Sequence, residues 1–585
     1  MKTRFLFLKP FSLAILIISL SLTAVADDLN HAPEAATGLQ KRHDVFAKHA
    51  MVVAANPLAV DAGIQMLKRG GSAVDAAIAV HMVLTLVEPQ SSGIGGGAFM
   101  LYYQKNQAKV ETFDGRETAP AAATPDMFIG ENDMPLPFYD AVIGGKSVGV
   151  PGDLRMLEMA HKRHGKLPWA TLFGPAIALS EKGFAVSPRL HALIARDKYL
   201  PLQTASREYF YHADGSPLKI GENRKNLQLA RVLRKVAKGG ANAFYTGKIA
   251  KDIVATVQAH PTNAGQMTEA DLANYKAKVR TAVCGSYRSY KLCGMPLPSS
   301  GGITALQILG ILDQFDVAAL RPGSTAAVHL ISEAERLAFA DRNQYLADSD
   351  FVNAPVAGLL DKAYLTKRAA LISLDQSMGK AEPGTPSGTV SSVLGQDNAL
   401  ELPSTSHFSI VDKWGNAVSM TASIEDAFGS RHMVDGFLLN NELTDFSFNP
   451  EEEGKPVANR VEPGKRPRSS MAPTLIFDNQ NNLVGLVGSP GGSSIIGYVV
   501  KTIIGIIDWK LTMQQAIDLP NFGSRNGPTE LEKGSSLEML QLPLQAMGHT
   551  VKVSEANSGL HGIVRVKNGW AGGADPRREG VARGY

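Results

Sequence analysis

Three hydroxyls and an imidazole open one strand of an otherwise ordinary hairpin, Ser404-Thr405-Ser406-His407 in "PSTSHFSIVDKWGNAVSMTAS" (403–423). Such residues are poor core material, and the chemistry open to them is nucleophilic attack, which a hydroxyl performs only when a base is positioned to take its proton. The loop Lys413-Trp414-Gly415 reads as a type I turn plus bulge with Gly at the left-handed position, which pairs Asp412 with Asn416. Counting back, Thr405 lies across from Ser423. Period-two alternation then gives one face to Thr405, His407, Ser409, Ser419, Thr421 and Ser423, and the other to Phe408, Ile410, Val418 and Met420. The apolar face is the core side. A polar, hydroxyl-rich face suits a catalytic site or a solvated surface, and the hairpin alone leaves both open.

The elements that must position this hairpin are legible around it. "NPLAVDAGIQMLKRGGSAVDAAIAVHMVLTLVEP" predicts a helix over Leu58 to Lys68, a Gly70-Gly71 stop, and a second helix to Leu86 started by a Ser72/Asp75 capping box. A buried strand follows from Ala98 to Tyr103, and a long helical pattern runs from Thr325 to Asp348. The stretch "GKAEPGTPSGTVSSVLGQDNALELPSTSH" is polar and aperiodic, and reads as an exposed loop or linker running into Thr405. Strands are predicted at Thr405 to Val411, Ala417 to Ile424, Thr474 to Phe477 and Leu483 to Gly488, with helix returning at "IIGYVVKTIIGIIDW" and "TMQQAID". Strands flanked by helices on both sides predict an α/β (α+β) chain of sheets covered by helices. Three near-motifs fail. Gly93-Ile94-Gly95 lacks the third glycine of a dinucleotide turn, Gly145-Lys146-Ser147 has Asp140 where a phosphate loop needs glycine, and Ser489 has Val487 where a nucleophile elbow needs glycine. His161 and His164 lack metal-site spacing and read as a solvated helix face. No metal or other cofactor is indicated.

With 585 residues, 44% hydrophobic, 19% charged and 56 glycines, the chain has the composition of a large globular enzyme. Its net charge of +4 is spread thinly, which excludes a nucleic-acid footprint. The N-terminus combines Lys2, Arg4 and Lys9 with an apolar run from Phe11 to Ala24 and an Ala24-Val25-Ala26 site. This reads as a secretory signal peptide over 1–26, with cleavage after Ala26. A membrane anchor needs roughly 20 apolar residues, so no membrane association is expected once the signal is removed. The only cysteines, Cys284 and Cys293, face each other if the turn of "VCGSYRSYKLCG" centres on Arg288-Ser289, which permits a disulfide in an oxidising compartment. Arg-Ser is not a favoured two-residue turn, so bridged and free states both remain open.

Nine segments, "PQSSGIGGGAF", "FDGRETAPAA", "SVGVPGD", "MPLPSSGG", "STSHFSIVD", "LLNNELTDFS", "GKRPRSSMAPT", "GSPGGS" and "GGADPRREGVARGY", together resemble the γ-glutamyltranspeptidase (glutathione hydrolase proenzyme) family, from about Val52 to Tyr585. The resemblance implies an N-terminal nucleophile hydrolase with an αββα sandwich, made as one chain that cuts itself between Ser404 and Thr405. A large piece, 27–404, and a small piece, 405–585, would remain together as a heterodimer with one composite fold. Thr405 would be the nucleophile and its freed α-amine the base. Ser423 would position it, and Gly491 and Gly492 would form the oxyanion hole. Arg116, Ser469 and Ser470 would hold the substrate α-carboxylate, and Glu425, Glu442 and Asp445 its ammonium. Substrates would be γ-glutamyl compounds such as glutathione, with water or an amino acid or dipeptide as acceptor, in the periplasm.

Two departures bear on substrate range. Many members carry Asn where Glu425 stands, and many carry a longer, tyrosine-bearing lid where this chain has the short, acidic segment 448–464. Two other readings compete. A glutaryl-type cephalosporin acylase is similar over the same motifs, although its substrate head lacks the ammonium that the three acids suit. A non-catalytic periplasmic amino-acid-binding protein would stay one band on a denaturing gel, where a self-cleaving chain splits into pieces of about 41 and 19 kDa at roughly 110 Da per residue.

Overall fold

In a computed structural model, the described residues are 37, 40–389, 394–402 and 404–585. The signal-peptide segment 1–26, residues 390–393 of the loop and Pro403 lie outside them. Two seven-stranded antiparallel sheets dominate. The first runs, edge to edge, Val581–Gly584, Met51–Ala54, Ser406–Val411, Ala417–Ser423, Gly97–Gln104, Lys109–Gly115 and Lys278–Arg280. The second runs Val45–Ala47, Gly569–Ala574, His561–Val566, Leu483–Gly488, Thr474–Phe477, Tyr290–Gly294 and Val283–Tyr287.

Alternation along the strands makes two cores. Val52, Ala54, Met100, Phe408, Ile410, Val418 and Met420 face outward, under helices Pro57–Lys68 and Ala73–Val87. The second of these helices is buried along its whole length and starts with Ser72 and Asp75 satisfying each other's backbone amides. Met51, Val53, Phe99, Leu101 and Val411 face inward onto Leu475, Leu486, Val487 and Ile563 of the second sheet. That core continues to helices Gly301–Leu312 and Ile495–Ile507. The layers are helix, sheet, sheet, helix, the α+β sandwich expected of an N-terminal nucleophile hydrolase. Strands from both sides of Ser404-Thr405 interleave in each sheet, so neither side has a sheet of its own.

The hairpin register is Ser406 to Ala422 through Val411 to Ala417. Gly415 holds a φ of +81°, and Asp412 N–H donates to Asn416 O over 2.9 Å. The hydroxyl-rich face is no solvated surface. It is sealed between the sheets, where Ser409 Oγ donates to His561 O over 3.2 Å and His407 Nδ1 lies 2.8 Å from Thr421 Oγ1. Burial, with His561 beside it, holds the His407 imidazole well below its usual range, and therefore neutral.

Two further expectations need correction. His161 and His164 are half-buried: His161 Nε2 lies 2.8 Å from Leu167 O, and His164 Nε2 lies 2.9 Å from Glu111 Oε2. The loop entering Thr405 is exposed only in part: Lys380, Glu382, Thr385, Ser387 and Gly388 are exposed as expected, but its last residues are not. Asp397, Glu401, Leu402, Ser404 and Thr405 are all buried, because ion pairs from Asp397 to Arg468 and from Glu401 to Arg342 pull the segment inward.

Cys284 pairs with Cys293 across the hairpin, and their sulfurs are bonded. The unfavoured turn is stabilised by charge. Arg288, at a φ of +53°, donates from Nε to Asp508 over 3.0 Å, and its backbone N–H donates to Asp313 over 3.0 Å. Closing so short a loop contributes at most about 3 kcal/mol. Cys284→Ser is expected to lower the urea midpoint modestly without changing the fragments on a denaturing gel, since the bridge lies at the far edge of the second sheet. A loss of the fragments would assign the bridge a part in site assembly.

Candidate active site

Ser423 extends the hairpin register by one step and stands opposite Thr405. Its Oγ lies 3.3 Å from Thr405 Oγ1 and 3.4 Å from Ser404 O, and it accepts the Glu425 amide over 2.8 Å. The Thr405 hydroxyl lies directly against the Ser404 carbonyl. A nucleophile, the carbonyl before it and a hydroxyl touching both are the parts an intramolecular acyl shift needs. Ser404 Oγ is tied to Gln90 O at 2.8 Å, which fixes the peptide from the other side.

These groups line one cleft of about 260 Å³ with Arg116, Glu401, Leu402, Glu425, Glu442, Asp445, Ser469, Ser470 and Gly492. Of the sequence-predicted residues only Gly491 is off its wall. It sits one residue behind Gly492, at a φ of +138°, against the Tyr498 ring. Gly492 has a φ of +55°, and a Cβ there would lie 2.8 Å from the Leu402 carbonyl carbon, so a side chain would collide with the incoming segment.

Arg116 is engaged within the protein. It pairs with Glu442, and its Nη2 donates to Asp445 over 2.5 Å, while Nε and Nη2 also donate to Pro467 O and Arg468 O. One oxygen of each acid, Glu442 Oε2 and Asp445 Oδ1, is left without a hydrogen bond. Burial pushes Asp445 up to about 7 against the pull of Arg116. Burial, then repulsion from Asp445 and Asp426, raises Glu425 well above the carboxylate range. Glu425 is also held at a φ of +73°, a sparsely populated conformation for a non-glycine residue. Its carboxylate accepts from Asn441 and, over 3.3 Å, from the Leu402 amide. Ser469 Oγ accepts the Met471 amide over 3.1 Å, whereas the Ser470 hydroxyl bonds Glu401.

Sequence reasoning missed Glu401, Arg342 and Arg468. Glu401 pairs with both arginines, and despite its burial Arg342 foremost, then Arg468, holds it down to about 2. The only available signal was two charges where small or apolar residues would do, in "ALELPST" and "KRPRSS". Elsewhere, His329, Glu333 and His549 have ligand-like spacing. The two histidines bond each other, His549 also bonds Thr529, and Glu333 accepts from Arg336, whose guanidinium lies against the same cluster. This is a hydrogen-bonded core network.

The Gamma-glutamyltranspeptidase family description matches residues 59–585. The glutathione hydrolase proenzyme of Bacillus subtilis (strain 168) is 39% identical over 93% of this chain and 92% of its own length. That of Escherichia coli (strain K12) is 37% identical over 99% of both. The crystal structure of cephalosporin acylase from Bacillus halodurans superposes with a TM-score of 0.81 at 29% identity, covering 93% of this chain and 97% of that one. The sandwich, the cleft beside Thr405 and similarity from residue 59 to the last agree: the chain belongs to the gamma-glutamyltranspeptidase family and is an enzyme of that type.

Proposed function

We propose that the chain is a secreted precursor that cuts itself at Ser404-Thr405 and then transfers γ-glutamyl groups from glutathione-like amides to water or to an amino acid or dipeptide. The observation that carries this reading is the Thr405 hydroxyl lying against the Ser404 carbonyl, with Ser423 bonded to both. Thr405 Oγ attacks the Ser404 carbonyl, its proton passes to the Thr405 nitrogen, which leaves as the free α-amine, and water then hydrolyses the ester to a Ser404 carboxylate and the Thr405 hydroxyl. That amine, with an ordinary pKa of about 7.7 to 8.0, takes the hydroxyl proton in each later turnover. Attack on the substrate γ-carbonyl expels the amine product and leaves a γ-glutamyl ester on Thr405, which water or the acceptor amine resolves. Gly491 and Gly492 supply backbone N–H groups for the tetrahedral oxyanion. The large and small pieces stay together because their strands interleave in both sheets. Among the described residues no helix is long and apolar enough to cross a membrane, and the periplasm is the proposed compartment.

The test is direct. Purified protein should split into two bands, and only the split form should release aniline from a γ-glutamyl anilide. A chain that stays whole, or turns over equally well whole, overturns the reading. The second reading, a glutaryl acylase, is favoured by the acylase superposition. Against it stand Glu425, Glu442 and Asp445, which all line the cleft and suit an ammonium that glutaryl groups lack.

Arg116 gives a separate check. Its fork holds Glu442 and Asp445 and, on this reading, also takes the substrate carboxylate, a planar two-pronged geometry that a lysine's point-like ammonium does not reproduce. Arg116→Lys is expected to raise KM about ten- to a hundredfold, the worth of a charge-assisted contact, with self-cleavage intact. An unchanged KM would remove Arg116 from the carboxylate site.

A further inference from the structure

In the uncut chain a carboxylate of the chain itself, Glu401, lines the cleft with Ser470, while Arg342 and Arg468, which bind it, are not among the lining residues. Glu401, three residues before the scissile bond, is paired with Arg342, bonded to the Ser470 hydroxyl, and lies 3.3 Å from Arg468 Nη2. All four side chains are buried. Arg468 has a second carboxylate, Asp397, at 2.9 Å. Among the described residues Arg342 has no other within 4.0 Å, its remaining donors going to Ser300, Asn343 and Ser470.

We propose that Arg342 and Arg468, with Ser470, form the seat for the substrate α-carboxylate in the cut enzyme, and that Glu401 is its built-in stand-in before the cut. The inference rests on the γ-glutamyl reading above and adds two arginines and a competitor to it. The physical argument is charge balance. While Ser404-Thr405 is intact, Glu401 is tethered on both sides and compensates Arg342. Cleavage leaves it three residues from a free chain end, where it can withdraw. Its departure strands a buried guanidinium without a carboxylate, which is costly unless another anion enters. A γ-glutamyl compound brings one, and Ser470 is shared by both occupants. Arg116 stands beside the same group: its Nη2 donates to Arg468 O over 3.0 Å.

Two experiments decide it. The first needs no activity. In the uncut Thr405→Ala chain, Glu401→Ala vacates the seat. Acetate should then raise the melting temperature saturably, and acetamide should not, while Thr405→Ala alone responds to neither. Equal responses with and without Glu401, or none in the vacated chain, overturn the proposal. The second uses the cut enzyme. Arg342→Lys should raise KM at least tenfold for a γ-glutamyl anilide with its α-carboxylate, with kcat within about twofold. The already high KM for the α-carboxamide analogue should stay unchanged. Arg468→Leu is read in the same way as the alternative variant. A KM that rises equally for both substrates, or for neither, overturns the seat. If the unaltered enzyme turns over no γ-glutamyl anilide, the γ-glutamyl reading fails and the assignment of the seat to a substrate α-carboxylate fails with it, whereas the acetate response of the uncut chain still decides whether Glu401 occupies an anion seat.

Discussion

Thr405→Ala is expected to accumulate as one uncut chain with no measurable turnover, the largest effect any single substitution should have. The same hydroxyl is proposed to open the Ser404 carbonyl and the substrate amide, and no other hydroxyl in the cleft is placed to replace it. Ser423 Oγ touches the Ser404 carbonyl oxygen at 3.4 Å, as a donor to developing charge and not as an attacking group. In the unaltered protein the small fragment should begin Thr-Ser-His-Phe, read by N-terminal sequencing, with pieces of about 41 and 19 kDa at roughly 110 Da per residue. A fragment with any other N-terminus would sink the assignment. Thr405→Ser keeps a hydroxyl and should keep part of both reactions, which separates loss of the nucleophile from loss of the fold.

Local rules carried this site far. The Lys413-Trp414-Gly415 turn and strict alternation placed Ser423 opposite Thr405 without any homologue, because a two-residue period leaves no freedom once a turn sets the register. The predicted strands Thr474–Phe477 and Leu483–Gly488 and the capped helix after Ser72 were equally local, and they match. What the alternation could not say is what lies above each face. The hydroxyl face of the hairpin is covered by His561 and Val487, about 70 to 150 residues further along the chain. The end of the loop nearest Thr405 misled for a related reason. Its Gly, Ser and Pro content suggested exposure, yet two acids in it meet arginines 59 and 71 residues away. Ion pairs between distant segments leave no periodic trace, so Glu401, Arg342 and Arg468 emerged only from the fold, whereas the other site residues came through the family resemblance.

Replacing Glu425 by Asn is expected to preserve γ-glutamyl turnover and to flatten its acid limb. Burial and two acidic neighbours raise Glu425 well above its ordinary range, and Asp445 is pushed up to about 7. With no ammonium in the cleft these carboxyls resist ionising together. The cation reverses this, and each acid that must ionise to receive it costs binding up to about tenfold for every pH unit below its pKa. From pH 8 to pH 5 the native enzyme therefore loses kcat/KM through two such groups, whereas the Glu425→Asn variant loses it through Asp445 alone. The Thr405 α-amine titrates in both proteins and cancels in their ratio. That ratio, native over variant, should fall steadily as the pH is lowered. For a glutaryl anilide, which brings no ammonium, the substitution should help or do nothing, because it removes an acid without removing a partner. Asn keeps an acceptor for the Leu402 amide that Glu425 now binds, so cleavage should persist. If Glu425→Asn abolishes γ-glutamyl turnover while the pH profile of any residual activity stays unchanged, Glu425 acts on the nucleophile or the backbone, and the ammonium site lies elsewhere.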